Sequence, residues 1–230
     1  MQKKHLFVAL DDFGISPQAN RHILELVRAG IINRVAVMPQ GLLPEVAIQQ
    51  LLIAPVALDI HLEINNPFRS ERKLKDGTLN RVFLFFLGYF SGKTSVKQVT
   101  QQWEAQIQKF YALFGRYPDG LNSHEHTHFF PPYFAVMIQL ATKYNISYIR
   151  LGTQSHQEKP LVNRILNWLR TKNLPALAQS GRNTSDFLIS FDWLSSWDGL
   201  NDYPEESQIE FIFHPEREDE MAFLQTFKNL

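Results

Sequence analysis

Two adjacent carboxylates, Asp11 and Asp12, follow the first apolar run of the chain, and Gly14 comes two residues after them. Far downstream, the stretch from Asn122 to His128 reads Asn-Ser-His-Glu-His-Thr-His. Imidazole and carboxylate side chains are common ligands of hydrolytic metal sites, and a second carboxylate beside such a site can act as a base. Together the two motifs indicate a divalent metal with a carboxylate base beside it. Neither motif alone supports that interpretation.

The acidic pair also has a simpler explanation, as a helix N-cap or a solvated turn. Adjacent residues of an extended strand point to opposite sides, so Asp11 and Asp12 can face one centre only where the chain turns. Gly14 permits the tight backbone that such a turn needs. Adjacency alone does not say which carboxylate binds metal and which stays free.

Three histidines, His124, His126 and His128, are spaced by two, which in a strand places their rings on one face. An apolar core does not require three neutral polar rings in a row, so the cluster favours a metal site over a solvated surface loop. Extended residues two apart differ in position by about 6 to 7 Å, and the spacing therefore does not identify the ligand. The remaining rings are expected to orient ligands or to meet substrate.

Two further histidines stand in apolar surroundings. His61 lies in Ala57-Leu58-Asp59-Ile60-His61-Leu62, and His214 ends Phe211-Ile212-Phe213-His214 before Pro215. Each could be an ordinary core histidine with its polar atoms satisfied. The proline that ends the strand directly after His214 favours a functional position for that ring. His5, His22 and His156 have no such setting and are predicted to be surface or helix residues.

Composition narrows the class of protein. The 230 residues are 44% hydrophobic, which suffices for one sizeable core, and we expect a single domain over residues 1–230. Lys plus Arg equals Asp plus Glu at 23 each, so no net charge attracts nucleic acid or an anionic membrane. The absence of cysteine leaves His, Asp and Glu as metal ligands. The first apolar run is too short for a secretory signal, and no run approaches the length of a membrane span, so we expect a cytoplasmic protein.

The order of predicted elements favours an α/β barrel. Strands at 5–10, 34–38, 56–62, 120–124, 147–151, 187–191 and 209–214 alternate with helices, which is typical of a parallel sheet covered by helices. The best-defined helix is capped at Thr94 or Ser95 and ends at Gly115. The Asp pair, His61, His124 and His214 all fall at carboxyl ends of strands, which converge on one face of a barrel. Four contributing strand ends favour a distorted (β/α) barrel-like fold over an open doubly wound sheet.

Aromatic residues suggest a sugar-binding surface. Trp193 and Trp197, four apart, could share a helical face, and a second group precedes the long helix: Phe83, Phe85, Phe86, Tyr89 and Phe90. Ordinary helix packing is the simpler explanation for both groups.

In their order along the chain, these motifs resemble those of the YdjC-like carbohydrate deacetylases, which include chitooligosaccharide deacetylases. The resemblance spans nearly the whole chain. The matching segments are Asp11 through Pro17 with Asn20, Ile60-His61-Leu62, Glu104-Ala105-Gln106 with Phe110, Pro118 through His128, Arg150, and His214-Pro215.

The resemblance implies a metal-dependent hydrolase that removes an N-acetyl group from an amino sugar or chitooligosaccharide. Carried over by position, Asp12, His61 and His124 would bind one divalent ion, and Asp11 would be the general base. His214 would be a candidate general acid. Residues expected to contact substrate or orient the ligands are His126, His128 and Arg150.

Three segments depart from the family pattern. Asn33-Arg34 replaces the Thr/Ser-rich start of the second strand, and the other two departures lie beside the histidines. Asn122 stands where the family usually has Asp, and Leu62-Glu63-Ile64-Asn65-Asn66-Pro67 replaces Leu-x-Leu-Thr-x-Gly after His61. The change at Asn122 removes a carboxylate beside the histidine cluster. The change after His61 is expected to reshape the substrate pocket.

Other functions and partners stay open at this stage. A metal-dependent phosphoesterase on a similar barrel, or a catalytically silent sugar- or metal-binding protein, would explain some of the same residues. The resemblance favours Mg²⁺, whereas two histidines and one carboxylate suit Zn²⁺. The expected partner is a small acetylated sugar, with neither nucleic acid nor membrane, and a homodimer is possible.

Overall fold

The structure is a computed structural model that describes residues 5–65, 78–154, 160–191 and 203–227. In chain order its elements are β1 His5–Phe13, α1 Pro17–Arg28, β2 Arg34–Val37, α2 Glu45–Leu52, β3 Ala57–Leu62, α3 Thr78–Phe90, α4 Val96–Phe114, β4 Gly120–Ser123, a 3₁₀ segment His124–Phe129, α5 Pro131–Lys143, β5 Tyr148–Ile149, β6 Thr153–Gln154, α6 Pro160–Ser180, β7 Phe187–Ser190, β8 Gln208–Phe213 and α7 Glu218–Phe227.

All eight strands belong to one parallel sheet in the order β5-β4-β3-β2-β1-β8-β7-β6. The two outermost strands, β5 and β6, are consecutive in the chain and only three residues apart. An additional parallel bridge joins Tyr148 to Asn183, just before β7. The sheet therefore curls back on itself, and the predicted α/β barrel-like fold is confirmed.

Local sequence signals account for the helices that surround the sheet. In α1, the Ser16 hydroxyl accepts a hydrogen bond from the Ala19 amide at 3.1 Å, and Pro17 occupies the first turn. Ser95 caps α4, and Gly115 ends it in a left-handed conformation with φ of 69°. The buried face of α4 is Val99, Trp103, Gln106, Ile107, Phe110 and Phe114. The predicted limits of this helix are confirmed.

Side chains on the strands alternate between two very different environments. In β3, Leu58, Ile60 and Leu62 join the apolar core together with buried residues of the helices. Asp59 and His61 point to the other face and are also buried. Asp59 accepts hydrogen bonds from Arg34 at 2.6 and 2.8 Å. The polar residues therefore lie on the sheet face opposite the apolar core, that is, in the interior of the curled sheet.

Three sequence predictions are corrected by the structure. The β4 strand ends at Ser123, and a 3₁₀ segment follows in which Glu125 and His126 have φ of 55° and 54°. His124, His126 and His128 therefore do not share one strand face. The sequence predicts a helix near residues 161–172, whereas α6 begins at Pro160 and continues through Pro175 to Ser180.

Elements that were not predicted are the short strand β6 and the helix α3. Residues 78–90 are distinguished in the sequence only by the aromatic group that precedes α4. No helix in the described ranges is both long and apolar enough to cross a membrane.

Candidate metal centre

The carboxyl ends of four strands bring the predicted site residues together. Asp11 and Asp12 lie near the end of β1, His61 lies near the end of β3, and His124 and His214 directly follow β4 and β8. Since β1 lies between β8 and β2, and β3 joins β2 to β4, these ends follow one edge of the sheet. Parallel pairing thus gathers residues as far apart in the chain as Asp11 and His214.

A local distortion of β1 lets two neighbouring carboxylates reach this edge. Asp12 adopts a left-handed backbone with φ of 63°, and the register between β1 and β2 shifts between Leu10 and Phe13. Aspartate tolerates this conformation better than most residues with a side chain. The Ile15 amide donates to the Asp12 carbonyl at 3.0 Å and closes the turn. As a result Asp11 and Asp12 both lie buried within reach of His61.

Gly14 and Asn20 hold the turn in place. The Asn20 amide oxygen accepts from the Gly14 backbone at 2.7 Å, and its nitrogen donates to the Leu42 carbonyl at 2.7 Å. A methyl group on Gly14, whose φ is 110°, would lie 2.9 Å from the Met38 carbonyl oxygen. The glycine predicted to permit the turn is therefore required both by its backbone angle and by its neighbours.

Three potential ligand atoms form a nearly equilateral triangle. Asp12 Oδ1 lies 3.2 Å from His61 Nε2 and 3.3 Å from His124 Nδ1, and the two imidazole nitrogens are 3.3 Å apart. Atoms that bind one ion at about 2.1 Å lie about 3.0 Å apart at octahedral angles and about 3.4 Å apart at tetrahedral angles. The triangle therefore fits a single divalent ion of either geometry. Within the described ranges, Asp12, His61 and His124 form the one such group of potential ligands.

Hydrogen bonding around the triangle leaves its centre rich in lone pairs. His61 Nδ1 donates to Asn122 Oδ1 at 2.5 Å, because an amide oxygen can only accept. In the neutral ring, Nε2 then carries a lone pair toward Asp12. Asp12 Oδ1 is itself buried without a well-aligned hydrogen-bond donor among the described residues. Electron-rich atoms this close together require a positive charge between them.

Electrostatics of the protein without metal agree with this requirement. Burial raises the pKa of Asp12, but the polar contacts and charges of His124 and His61 outweigh it and lower the pKa well below its usual value. Burial likewise opposes the charged form of His124, yet contact with Asp12 raises the pKa of this ring to about 9. A proton on His124 thus supplies the positive charge in the protein without metal, and a divalent ion would displace it.

Asp11 has a different set of partners. Arg150 donates to both of its oxygens, from Nη1 at 2.7 Å and from Nη2 at 3.0 Å. On the other edge of this guanidinium, Nε donates to Glu210 Oε1 at 2.9 Å, and Nη2 forms an ion pair with the same oxygen at 2.8 Å. Burial raises the pKa of Asp11, but the charge of Arg150 outweighs it, and the pKa falls to about 2. Asp11 is therefore ionised and held in one orientation at neutral pH.

His214 is held by a buried glutamate from the last helix. The Glu220 carboxylate accepts from the His214 backbone amide at 2.6 Å and lies 3.5 Å from the ring nitrogen Nδ1. Burial opposes protonation, but Glu220 raises the pKa of His214, and the charges of Asp11 and Asp12 add to this effect. The ring, whose side chain is 24% exposed, therefore combines access to solvent with a tendency to carry a proton.

The other predicted site residues differ in how deeply they are buried. His128 is fully buried, with Nδ1 2.7 Å from the Ser123 hydroxyl and Nε2 donating to the Arg150 carbonyl at 2.7 Å. Arg150 is also fully buried, so both residues contact protein groups and neither is open to substrate. His126 is half-buried, with its ring 5.7 Å from that of Phe129.

Two buried acids were missed by sequence reasoning. Glu210 breaks the apolar run Ile209-Glu210-Phe211-Ile212, and a charge in a buried strand is a detectable signal of a partner. Glu220 carried no comparable signal, since acids are common in a first helical turn. Gln106, on the buried face of α4, exchanges two hydrogen bonds with the Glu63 backbone at 2.8 and 2.9 Å and fixes the segment after β3.

The aromatic residues of α3 form a cluster with Phe130 and Tyr133 that both packs inward and reaches solvent. The Phe85 and Tyr89 rings lie 5.4 and 5.1 Å from that of Phe130, whereas Phe90 is exposed. Phe83, Trp193, Trp197 and His156 lie outside the residues whose side chains the structure describes.

Comparison with known proteins agrees with the fold and the motifs. Residues 5–229 match the family described as YdjC-like protein. A carbohydrate deacetylase of Danio rerio is 26% identical over 156 residues, which are 65% of this chain and 50% of that protein. The chain thus spans about half the length of that curated relative.

Two solved structures share the fold. One is an Enterococcus faecalis protein named for cellobiose-phosphate cleavage, with a TM-score of 0.64 and 21% identity over 96% of this chain and 84% of that one. The other is a family 4 carbohydrate esterase of Streptomyces lividans in complex with acetate, with a TM-score of 0.51 and 11% identity over 100% of this chain and 88% of that one. Because the family match extends over nearly all of the sequence, the chain belongs to the YdjC-like family.

Proposed function

We propose that this protein is a metal-dependent carbohydrate deacetylase that hydrolyses the N-acetyl group of an acetylated amino sugar or chitooligosaccharide. The observation that carries the proposal is the triangle of Asp12, His61 and His124 with a second, separately held carboxylate, Asp11, next to Asp12 in the chain. Membership of the YdjC-like family and the deacetylase name of the Danio rerio relative support the same activity.

The donor set fits one divalent cation. Asp12 Oδ1, His61 Nε2 and His124 Nδ1 would hold it, leaving further positions for water and substrate. When bound, such an ion supplies a polarised amide carbonyl and a more acidic water. Two imidazoles and one carboxylate suit Zn²⁺ by ligand preference, and we retain Mg²⁺, which the family resemblance favours, as the first candidate.

Asp11 would receive the proton of the attacking water. Its carboxylate is ionised at neutral pH, and Arg150 fixes both oxygens. A base that is already oriented needs no further ordering as the reaction proceeds. The ion pair also lowers the proton affinity of Asp11, so we expect it to hold the proton briefly.

His214 would deliver a proton to the departing sugar nitrogen. An amide nitrogen leaves readily only after it is protonated, and Glu220 raises the pKa of His214, which favours the protonated ring as the donor. Its partly exposed side chain lies at the same strand edge as Asp11. Base and acid would thus act from two neighbouring strands, β1 and β8.

The test is acetate release from short N-acetylated chitooligosaccharides by the metal-loaded protein. We expect release that a chelator abolishes, and a loss of about 10² to 10⁴-fold in Asp11→Asn, in which the general base is removed. Asp11→Asn should still bind one ion per chain by calorimetry. Release that is unchanged in Asp11→Asn would refute the assigned base, and no release from any acetamido sugar by metal-loaded protein would refute the activity.

Metal stoichiometry separates this proposal from a phosphoesterase. Phosphoesterase sites commonly hold two ions about 3.5 to 4 Å apart. Among the described residues one group of three potential ligands is present, and Asp11 is engaged by Arg150. One ion per chain is therefore expected.

A further inference from the structure

We propose that Asn122 is a positioning residue for the metal centre: it holds His61 with the metal-binding nitrogen directed at Asp12 and His124, without adding a negative charge to the pocket. The starting observation is the 2.5 Å contact between Asn122 Oδ1 and His61 Nδ1. Asn122 is fully buried and lies directly opposite His61 in the β3–β4 pairing.

The contact determines which nitrogen of His61 is available to a metal. A neutral imidazole carries its proton on one nitrogen only, and an amide oxygen accepts but cannot donate. The proton is therefore held on Nδ1, and Nε2 keeps its lone pair 3.2 Å from Asp12 Oδ1. Partners of this kind also fix the orientation of the ring, and their loss typically weakens metal binding by about 10 to 100-fold.

The choice of an amide over a carboxylate matters because the pocket already contains two buried acids. Asp11 is compensated by Arg150, and Asp12 depends on the two histidines. A third carboxylate at position 122 would be a better acceptor for His61, but it would add an anion 0% exposed to solvent. The Asn122 Nδ2 group donates to no acceptor among the described residues.

Two substitutions therefore have opposite predicted effects. Asn122→Ala removes the acceptor and leaves His61 free to change tautomer and rotate. Asn122→Asp keeps the acceptor, makes His61 more electron-rich and adds charge. We expect Zn²⁺ affinity to fall about 10 to 100-fold in Asn122→Ala and to rise in Asn122→Asp. The metal-free Asn122→Asp protein should unfold at a lower temperature than the natural protein.

The experiment is calorimetric titration of the metal-free full chain with Zn²⁺, combined with thermal unfolding with and without the ion. Asn167→Ala is the matched control, since Asn167 also makes amide hydrogen bonds, to the Gln154 backbone, but on α6. Its Zn²⁺ affinity should equal that of the natural protein. Neither measurement uses a substrate, so the result is independent of the proposed deacetylase activity.

Unchanged Zn²⁺ affinity in both Asn122 variants, with one ion still bound per chain, would overturn the proposal. If Asn122→Ala does not fold, the result for Asn122→Asp tests the proposal alone. Tighter Zn²⁺ binding together with lower stability of the metal-free protein would support it, because a loss of packing does not produce both changes. If Asn122→Asp is unfolded without metal, circular dichroism can monitor whether it folds when Zn²⁺ is added. Folding would support the proposal, and failure to fold would contradict it.

Discussion

Asp11 and Asp12 are adjacent in the chain and both are buried, yet their carboxylates have opposite surroundings. Arg150 donates to both oxygens of Asp11, and Glu210 holds the other edge of that guanidinium. Asp12 Oδ1 instead faces two imidazole nitrogens and has no well-aligned donor among the described residues. The fixed charge of Arg150 neutralises Asp11. The charge of Asp12 is left to be neutralised by a cation that can exchange, either a proton or a metal ion.

This difference divides the site into two groups of residues. The balanced group is Asp11, Arg150 and Glu210, and the open group is Asp12, His61 and His124. A buried ion pair is costly to break because the remaining partner is left uncompensated. We therefore expect the balanced group to govern folding stability and the open group to govern metal binding.

The largest effect is expected for Asp12→Asn, which removes the anionic ligand. Asparagine tolerates the left-handed backbone of this position, so the turn should persist. Zn²⁺ affinity should fall by more than about 100-fold, beyond the loss caused by changing a residue that only orients a ligand. Calorimetric titration of Asp12→Asn measures this. Binding equal to that of the natural protein would show that the open group does not hold the ion.

Arg150→Met breaks the balanced group. It leaves Asp11 and Glu210 buried without their shared cation, and we expect a loss of about 3 to 5 kcal/mol in the free energy of unfolding. Urea denaturation of the metal-free protein measures the loss. Arg116→Ala is the control, because its ion pair with Asp119 is exposed and should contribute at most about 1 kcal/mol. Equal losses in the two variants would remove the distinction between the groups.

Gly120→Ala tests the buried Arg34–Asp59 ion pair in the interior of the curled sheet. An added methyl group would lie 2.5 Å from Asp59 Oδ1 and 2.8 Å from Arg34 Nη2, so this buried pair must shift. Overpacking of this kind costs about 1 to 3 kcal/mol, and we expect that loss in urea denaturation. Zn²⁺ affinity should change little. A large loss of affinity without a loss of stability would show that the Arg34–Asp59 pair supports the metal centre and not the fold.

The last prediction concerns His128 and the dependence of folding stability on pH. Burial, with help from the charge of Arg150, lowers the pKa of His128 to about 3. An unfolded histidine takes up a proton near pH 6.5, so the stability that His128 supports is complete above about pH 6.5 and declines as pH falls toward 3. The slope should approach about 1.4 kcal/mol per pH unit within that window.

Replacing His128 with glutamine removes this titration. Urea denaturation between pH 6.5 and pH 4 should therefore give His128→Gln a shallower dependence of stability on pH, smaller by about one proton. An identical slope in the two proteins would show that His128 is protonated in the folded state.

The strand ends that build the site could be predicted from the sequence, and the pairings between their side chains could not. Short apolar runs ending in Asp12, His61 and His214 mark strands whose carboxyl ends converge in a parallel sheet. The loop after β4 was misjudged, because alternation of histidines predicts a strand, whereas Glu125 and His126 take left-handed angles that no local signal in the sequence indicates.

The sequence also did not predict which side chains pair when they are far apart in the chain. Arg150 and Glu210 are 60 positions apart; Glu210 is placed by the register of β8, and Arg150 directly follows β5. The family resemblance supplied Arg150 but not its partner. Asn122 was interpreted as a lost carboxylate, and its contact with His61 became visible only from the pairing of β3 with β4.

A crystal structure of the protein grown with Zn²⁺, with the ion located by its anomalous scattering, tests the central claim most directly. We expect one ion per chain, bound at about 2.0 to 2.2 Å by Asp12 Oδ1, His61 Nε2 and His124 Nδ1, with Asp11 still paired to Arg150. An ion bound elsewhere, a second ion about 3.5 to 4 Å from the first, or Asp11 among the ligands would contradict it.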